Sequence, residues 1–184
     1  MSNKGKLFIL SAPAGTGKTS LMARLVKEVP NTVQSLSYTT RPPRKGEVEG
    51  AHYRFVTKKV FEEMIERGEF LEYVVLFGHY YGTSKKAIEE RLNQGKNIIL
   101  VIDTQGAMKL KGQIQATYIF VLPPSLDALK ERLLKRRSEC DDKIGERLRV
   151  AVEELKQKSA YDYEVVNDDF EQALLELKKI ITGA

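Results

Sequence analysis

KLFILSAPAGTGKTSLMARLVKEV, residues 6–29, decides the fold class. Leu7–Leu10 is a short apolar run followed by a Gly-rich segment, which reads as a central parallel strand buried on both faces. From Lys18, Leu21, Leu25 and Val26 fall at helical spacing until Pro30 ends the pattern, so Lys18–Val29 reads as a helix. Between them, Ser11–Ser20 has the form of a phosphate-binding loop. Gly17-Lys18-Thr19 stands at its end, and Ala12 replaces the first glycine of the G-x-x-x-x-G-K-[ST] pattern. Such a loop needs the backbone N–H groups from Ala14 to Lys18 turned inward, which Gly15 and Gly17 permit. Lys18 is then placed to reach β- and γ-phosphates, Thr19 to ligate Mg²⁺ through its hydroxyl, and the helix N-terminus adds its dipole.

The rest of the chain extends this pattern. Residues 97–103 (NIILVID) and 117–122 (TYIFVL) are β-branched and apolar on both faces, like buried parallel strands. Residues 125–137 open on a Ser cap and carry Leu126, Leu129 and Leu133 on one face of a helix. Residues 143–158 form a long charged helix, 163–167 a short strand and 170–181 a closing amphipathic helix. Strands alternating with helices imply an α/β fold, a three-layer core with a central parallel sheet. Residues 35–93 break the rhythm: they are polar, aromatic and turn-rich, with one short helix (60–68) and a hairpin (70–84). They read as a small mixed insertion hung on the core.

Composition narrows the class. The 184 residues are 42% apolar with a formal net charge of +5, which suits one folded domain and argues against disorder. No apolar stretch approaches the roughly 20 residues of a membrane span. Lys4 and Lys6 before Leu7–Leu10 imitate a secretory signal, but the apolar run is shorter than the roughly 7–15 residues required. Cys140 is the one cysteine, so no intrachain disulfide forms and a reducing, cytoplasmic compartment is expected. The mild basic excess suits a small anionic ligand such as a nucleotide; neither nucleic acid nor a membrane is expected as partner. His52 and His79 lack metal-site spacing and read as loop residues. Tyr161 and Tyr163 are expected to pack the closing strand.

A phosphate loop alone does not choose among a GTPase switch, an ATPase and a kinase. No [NT]-K-x-D guanine reader is present. The insertion decides: Arg41 and Arg44 stand three apart on a Pro-stiffened segment, a fork suited to a phosphate. Tyr53 and Tyr81 can donate phenol hydrogen bonds to the same anion. Glu72 can accept from both N1–H and the N2 amino group of guanine, donors that adenine lacks.

On SAPAGTGKTS (11–20), SYTTRPPRKGEVEGAHYRFV (37–56), GEFLEY (68–73), YYGTS (80–84), ILVIDTQG (99–106) and YDYEVVNDDF (161–170), the chain resembles the guanylate kinases from Leu7 to about Ile181. The resemblance implies transfer of the γ-phosphoryl of Mg-ATP to GMP, giving ADP and GDP in purine nucleotide metabolism, with dGMP also accepted. It implies a core at 1–34, 94–125 and 159–184, a GMP-binding insertion at 35–93 and a helical lid at 126–158. It assigns Ser37, Glu72 and Thr83 to the guanine base, and Arg41, Arg44, Tyr53 and Tyr81 to the GMP phosphate. Gly82 is assigned to close backbone approach, and Asp103 to the acceptor and the metal's water shell. ATP falls to Ala12, Pro13, Ala14, Gly15, Thr16, Gly17, Lys18, Thr19 and Ser20, with Asn167 lining the adenine pocket. Lys18, Arg44 and the lid residues Arg136 and Arg147 are the expected catalytic cations, Arg137 standing where the family usually has Gly. Two rivals stay open: a catalytically silent interaction module using the GMP pocket for phosphopeptides, and a kinase for another nucleoside monophosphate. The oligomeric state is left open.

Overall fold

The computed structural model describes residues 4–135 and 141–183. Five parallel strands form the large sheet: β1 (Leu7–Ser11), β2 (Thr32–Gln34), β7 (Asn97–Val101), β8 (Thr117–Leu122) and β9 (Tyr163–Val166), in the order β2-β7-β1-β8-β9. β1 is buried at all five positions because it pairs with β7 on one side and β8 on the other.

The period of two along β1 sorts its side chains into two cores. Phe8 and Leu10 pack with Leu21, Met22 and Leu25 of α1 (Lys18–Glu28) and with Leu174 and Leu177 of α7 (Phe170–Thr182). Leu7 and Ile9 face the opposite side, with Ile88 of α3 (Lys85–Asn93) and Ala107 and Leu110 of α4 (Thr104–Leu110). The result is the expected three-layer α/β core.

The sequence pattern did not announce α3 or α4. Both are short, and each is started by a side-chain cap: Ser84 Oγ accepts from Ala87 N–H, and Asp103 Oδ1 from Gln105 and Gly106 N–H. α3, grouped above with the insertion, packs on the large sheet through Ile88 and Leu92.

The second sheet is mixed, as expected for the insertion. Its order is β4-β3-β6-β5, built from β3 (Tyr38–Thr39), β4 (Arg54–Phe55), β5 (Phe70–Leu76) and β6 (His79–Ser84). The β5–β6 hairpin is antiparallel, whereas β3 and β4 run parallel. α2 (Lys58–Glu66) covers this sheet, and Phe61 stacks between Phe70 and Tyr80 at 4.3 and 5.0 Å.

Two further helices, α5 (Leu126–Lys135) and α6 (Asp141–Leu155), pair through Leu129, Leu133, Leu148 and Ala151. Ser125 Oγ caps α5 as expected, but Leu126 is 48% exposed and lies off the apolar face predicted for it. Tyr161 packs inward, while Tyr163 stays 48% exposed because β9 is an edge strand. His79 begins β6 instead of lying in a loop. Among the described residues, no helix is long and apolar enough to cross a membrane.

Candidate functional site

The site lies at the carboxyl ends of the parallel strands, where open α/β sheets place their ligands. The phosphate loop follows β1, Asp103 follows β7 and Asn167 follows β9. Gly15 and Gly17 adopt φ of 91° and 90°, left-handed values that a side chain would strain. Thr16 folds the loop back on itself, its N–H and hydroxyl both donating to the Pro13 carbonyl at 3.3 and 2.7 Å. Lys18 Nζ lies across the loop and donates to the Ala12 carbonyl. Ala12 and Pro13 are buried, Ala14, Thr19 and Ser20 exposed.

Asn167 is 5% exposed, and its side-chain amide donates to the Thr16 carbonyl at 2.6 Å. It therefore holds the loop from behind, a structural role in its own right. A Cβ on Gly15 would meet Leu129 and Leu133 at 3.1 Å, so the loop also rests on α5.

Facing the loop is a cavity of about 330 Å³ between the two sheets. Lys18, Thr19 and Asp103 line it from the large sheet; Ser37, Arg41, Arg44, Tyr53, Glu72, Tyr81 and Gly82 line it from the insertion. Residues far apart in the chain thus share one chamber, and its halves differ in chemistry.

One end is an anion cradle. Arg41, 9% exposed, forks onto Glu47 with bonds of 2.9 and 2.8 Å, and its guanidinium lies over the Tyr53 ring at 5.5 Å. Burial opposes the Arg41 charge, but hydrogen bonds to Glu47 and Tyr81 outweigh it and raise its pKa above the ordinary arginine range. Glu47, which also accepts from Arg44 N–H at 2.7 Å, resists burial in the same way and is held below the usual carboxylate range by Arg41 and Arg44. Burial, followed by the nearby Tyr81, pushes the Tyr53 phenol up. Glu47 was missed in the sequence; its six-residue distance from Arg41 carries no helical or strand period that would announce the pairing.

The other end holds Glu72, 6% exposed on β5. Its Oε1 accepts from the Thr83 hydroxyl of β6 at 2.7 Å, across the hairpin register that pairs the two residues. Burial raises its pKa to about 7; the Thr83 bond works against this and Asp103 adds to it. Thr83 is fully buried and is not among the residues that line the chamber; the bond it donates holds Glu72 Oε1 in place.

Gly82, assigned above to close backbone approach, is among the residues that line the cavity. The space its side chain would occupy is filled on the far side, where a Cβ would meet Phe61 at 2.8 Å and Phe70 at 2.9 Å. The small core therefore demands glycine there.

Arg147 is not among the residues that line this chamber. Arg147 sits half-buried on α6, and Arg136 lies outside the described residues, as do Arg137 and Cys140. An open groove of about 1070 Å³ separates α6 from α4, lined by Thr104, Met108, Leu148 and Val152 among others. Glu154 of α6, also unannounced by the sequence, has its pKa raised to about 7 by burial, with Lys18 opposing and Asp103 reinforcing.

Mg²⁺ fits the donor set only in one manner. Among the described residues no group of three or more His, Cys, Asp or Glu side chains could hold a metal ion. The Thr19 hydroxyl, exposed at the start of α1 beside Lys18, suits an ion that takes its other ligands from phosphate oxygens and water.

Known proteins resemble this chain in sequence and fold. A family model described as guanylate kinase matches residues 4–184. The chain is 51% identical over 178 residues to a guanylate kinase of Protochlamydia amoebophila (strain UWE25), covering 97% of this chain and 90% of that one. The crystal structure of guanylate kinase from Anaplasma phagocytophilum matches with a TM-score of 0.80 at 34% identity, over 99% of this chain and 87% of that one. The crystal structure of shikimate kinase from Bacteroides thetaiotaomicron, at 16% identity and a TM-score of 0.50, shares the fold alone. With a full-length family match and relatives this similar, the chain belongs to the guanylate kinase family.

Proposed function

We propose that this guanylate kinase carries out its reaction, ATP + GMP giving ADP + GDP, in the cavity between the two sheets, with the residues named above in distinct roles. The observation that carries the assignment is the division of one chamber into a cationic end, a buried carboxylate end and a phosphate loop opposite both. GMP fits with its phosphate at Arg41, Arg44, Tyr53 and Tyr81 and its base at Ser37 and Glu72. That orientation aims the phosphate at Lys18 and Thr19, where the γ-phosphoryl of ATP lies when the loop wraps its phosphates.

The acceptor oxygen belongs to an already anionic phosphate, so no strong general base is required. The task is alignment and charge neutralisation. Lys18 leaves the Ala12 carbonyl to meet the transferring group, and Arg44 supplies charge from the acceptor side. Arg136 and Arg147 are assigned to closure of the lid over that group. When bound, Mg²⁺ neutralises charge on the phosphates of ATP, and Thr19 would hold it. Asn167 keeps the Thr16 carbonyl occupied, which leaves the loop N–H groups directed inward. Closure of the insertion and lid keeps water from taking the phosphoryl group. The domain division follows the same logic: core, GMP-binding insertion and lid.

ADP release from Mg-ATP, with GMP, dGMP, AMP, dTMP and CMP offered separately, tests the assignment. Fast turnover with GMP and dGMP alone is expected. Equal turnover with AMP would overturn the role given to Glu72.

A further inference from the structure

Gly106 lies inside α4, where a helix ordinarily favours alanine over glycine. Its φ is not left-handed, and its N–H is held by Asp103 Oδ1 at 3.1 Å, so the backbone itself makes no demand for glycine. The demand comes from Glu72 of β5, packed directly against it. A Cβ built on Gly106 would stand 2.8 Å from Glu72 Oε2 and 3.4 Å from Glu72 Cδ, nearer than real methyl carbons approach an oxygen. Glu72 cannot simply swing away at no cost, because it is 6% exposed and Oε1 is held by Thr83 at 2.7 Å.

We infer that Gly106 is a specificity-determining residue, acting through Glu72: its bare Cα is the floor on which the carboxylate rests in the position that reads the base. This rests on the proposed pairing of Glu72 with guanine N1–H and the N2 amino group. A methyl group at 106 pushes Oε2 off the floor and rotates the carboxylate about the Thr83 bond. The two parallel hydrogen bonds to guanine then lose their common plane, and the bond to the N2 amino group is lost before the one to N1–H. The purine ring that distinguishes these bonds is hypoxanthine, which keeps N1–H and lacks the amino group. Gly106 thus governs preference for GMP over IMP, and the loop that binds ATP, on the far side of Asp103, is untouched.

The test is steady-state kinetics of Gly106→Ala with GMP and IMP, together with thermal melting. Expected are a GMP KM raised about tenfold, an ATP KM within about twofold of the parent, and a GMP-to-IMP ratio of kcat/KM reduced about tenfold. The melting temperature is expected to fall by no more than a few degrees, since alanine's helix preference offsets part of the cost of displacing Glu72. Glu72→Asp, one methylene shorter, supplies the control: adding Gly106→Ala to it should cost little more. An unchanged GMP KM in Gly106→Ala would overturn the inference. So would a loss on adding Gly106→Ala to Glu72→Asp as large as the loss in the parent, which would make the effect one of helix geometry. If Gly106→Ala alone does not fold, the double variant must fold; its failure also overturns the inference. Glu72→Gln separates the two layers. Full GMP preference in that variant refutes the base-reading role and Gly106 with it; lost preference there, with none lost in Gly106→Ala, refutes the role of Gly106 alone.

Discussion

On the proposed assignment the phosphate loop and the insertion both recognise nucleotides, and they do so with opposite materials. The loop uses backbone: two left-handed glycines, a folded Thr16 and an amide from Asn167 holding the turn from behind. The insertion uses buried charge: Arg41 locked to Glu47, and Glu72 locked to Thr83. Backbone amides cost nothing to prepare, because the helix that follows leaves them unpaired in any case. A carboxylate 6% exposed with a pKa near 7 is costly to ionise, and in the proposed base-reading role that cost rejects a base lacking the donors to repay it. Apart from Lys18 and Thr19, the proposed grip on the ATP phosphates is therefore made of backbone, whereas the proposed hold on GMP is built from long-range side-chain pairs.

That contrast breaks first at Lys18. Lys18→Ala should lower kcat by about 10³-fold or more while leaving GMP binding, measured by titration calorimetry, within about threefold. Unchanged turnover would remove the loop from the mechanism. At the insertion, Glu72→Gln should lower kcat/KM for GMP by about 10²-fold and leave the ATP KM alone. The same variant sharpens the comparison through pH. Guanine needs the ionised carboxylate, so the parent's GMP KM should rise as pH falls below about 7, and the Gln variant should lose that dependence. Stability runs the other way. A carboxyl whose folded pKa is raised stabilises the fold below about pH 4.5, and loses that contribution as pH rises through 7. Glu72→Gln should therefore gain on the parent between pH 5 and 8, by on the order of 1–3 kcal/mol in denaturant melts.

Smaller effects follow from the supports. Asn167→Ala leaves the Thr16 carbonyl without its partner; the ATP KM should rise about tenfold and the GMP KM should stay put. A GMP KM that rose equally would show that loop and insertion are not independent. Glu47→Gln should destabilise the free protein by about 1–2 kcal/mol, because Arg41 stays buried with half its fork unmatched, and GMP should restore part of the loss in a thermal-shift titration.

The same division explains what could be read from residue order. The loop, the buried strands and the long amphipathic helices were legible because each is specified within a dozen residues by spacing and chirality. α4 was not, since seven residues containing Gly106 carry too little periodicity to declare a helix, and its start depends on the Asp103 cap. The residues around the chamber were legible as types, Arg and Tyr for an anion and Glu for guanine. Their pairings were hidden: Glu47 meets Arg41 through a turn, and Thr83, named only for the base, meets Glu72 through a hairpin register. Gly106 was hidden more deeply, as was the packing that demands glycine at position 82, for the neighbour that forbids a side chain lies in another element in each case.

The insertion leaves the large sheet after β2 and returns at α3, and the two crossings are clasped together. Ser35 N–H donates to the Ile99 carbonyl of β7, and Arg91 of α3 donates to the Gln34 carbonyl at 3.1 Å. A segment held at both ends by neighbouring points on one sheet can melt without loosening its anchor, since its loop is closed in either state. Amide protons of the insertion should then exchange through a local opening, while those of β1 and β7 wait for global unfolding. A protease that nicks the exposed turn between Pro42 and His52 would leave two fragments still bound through the sheet.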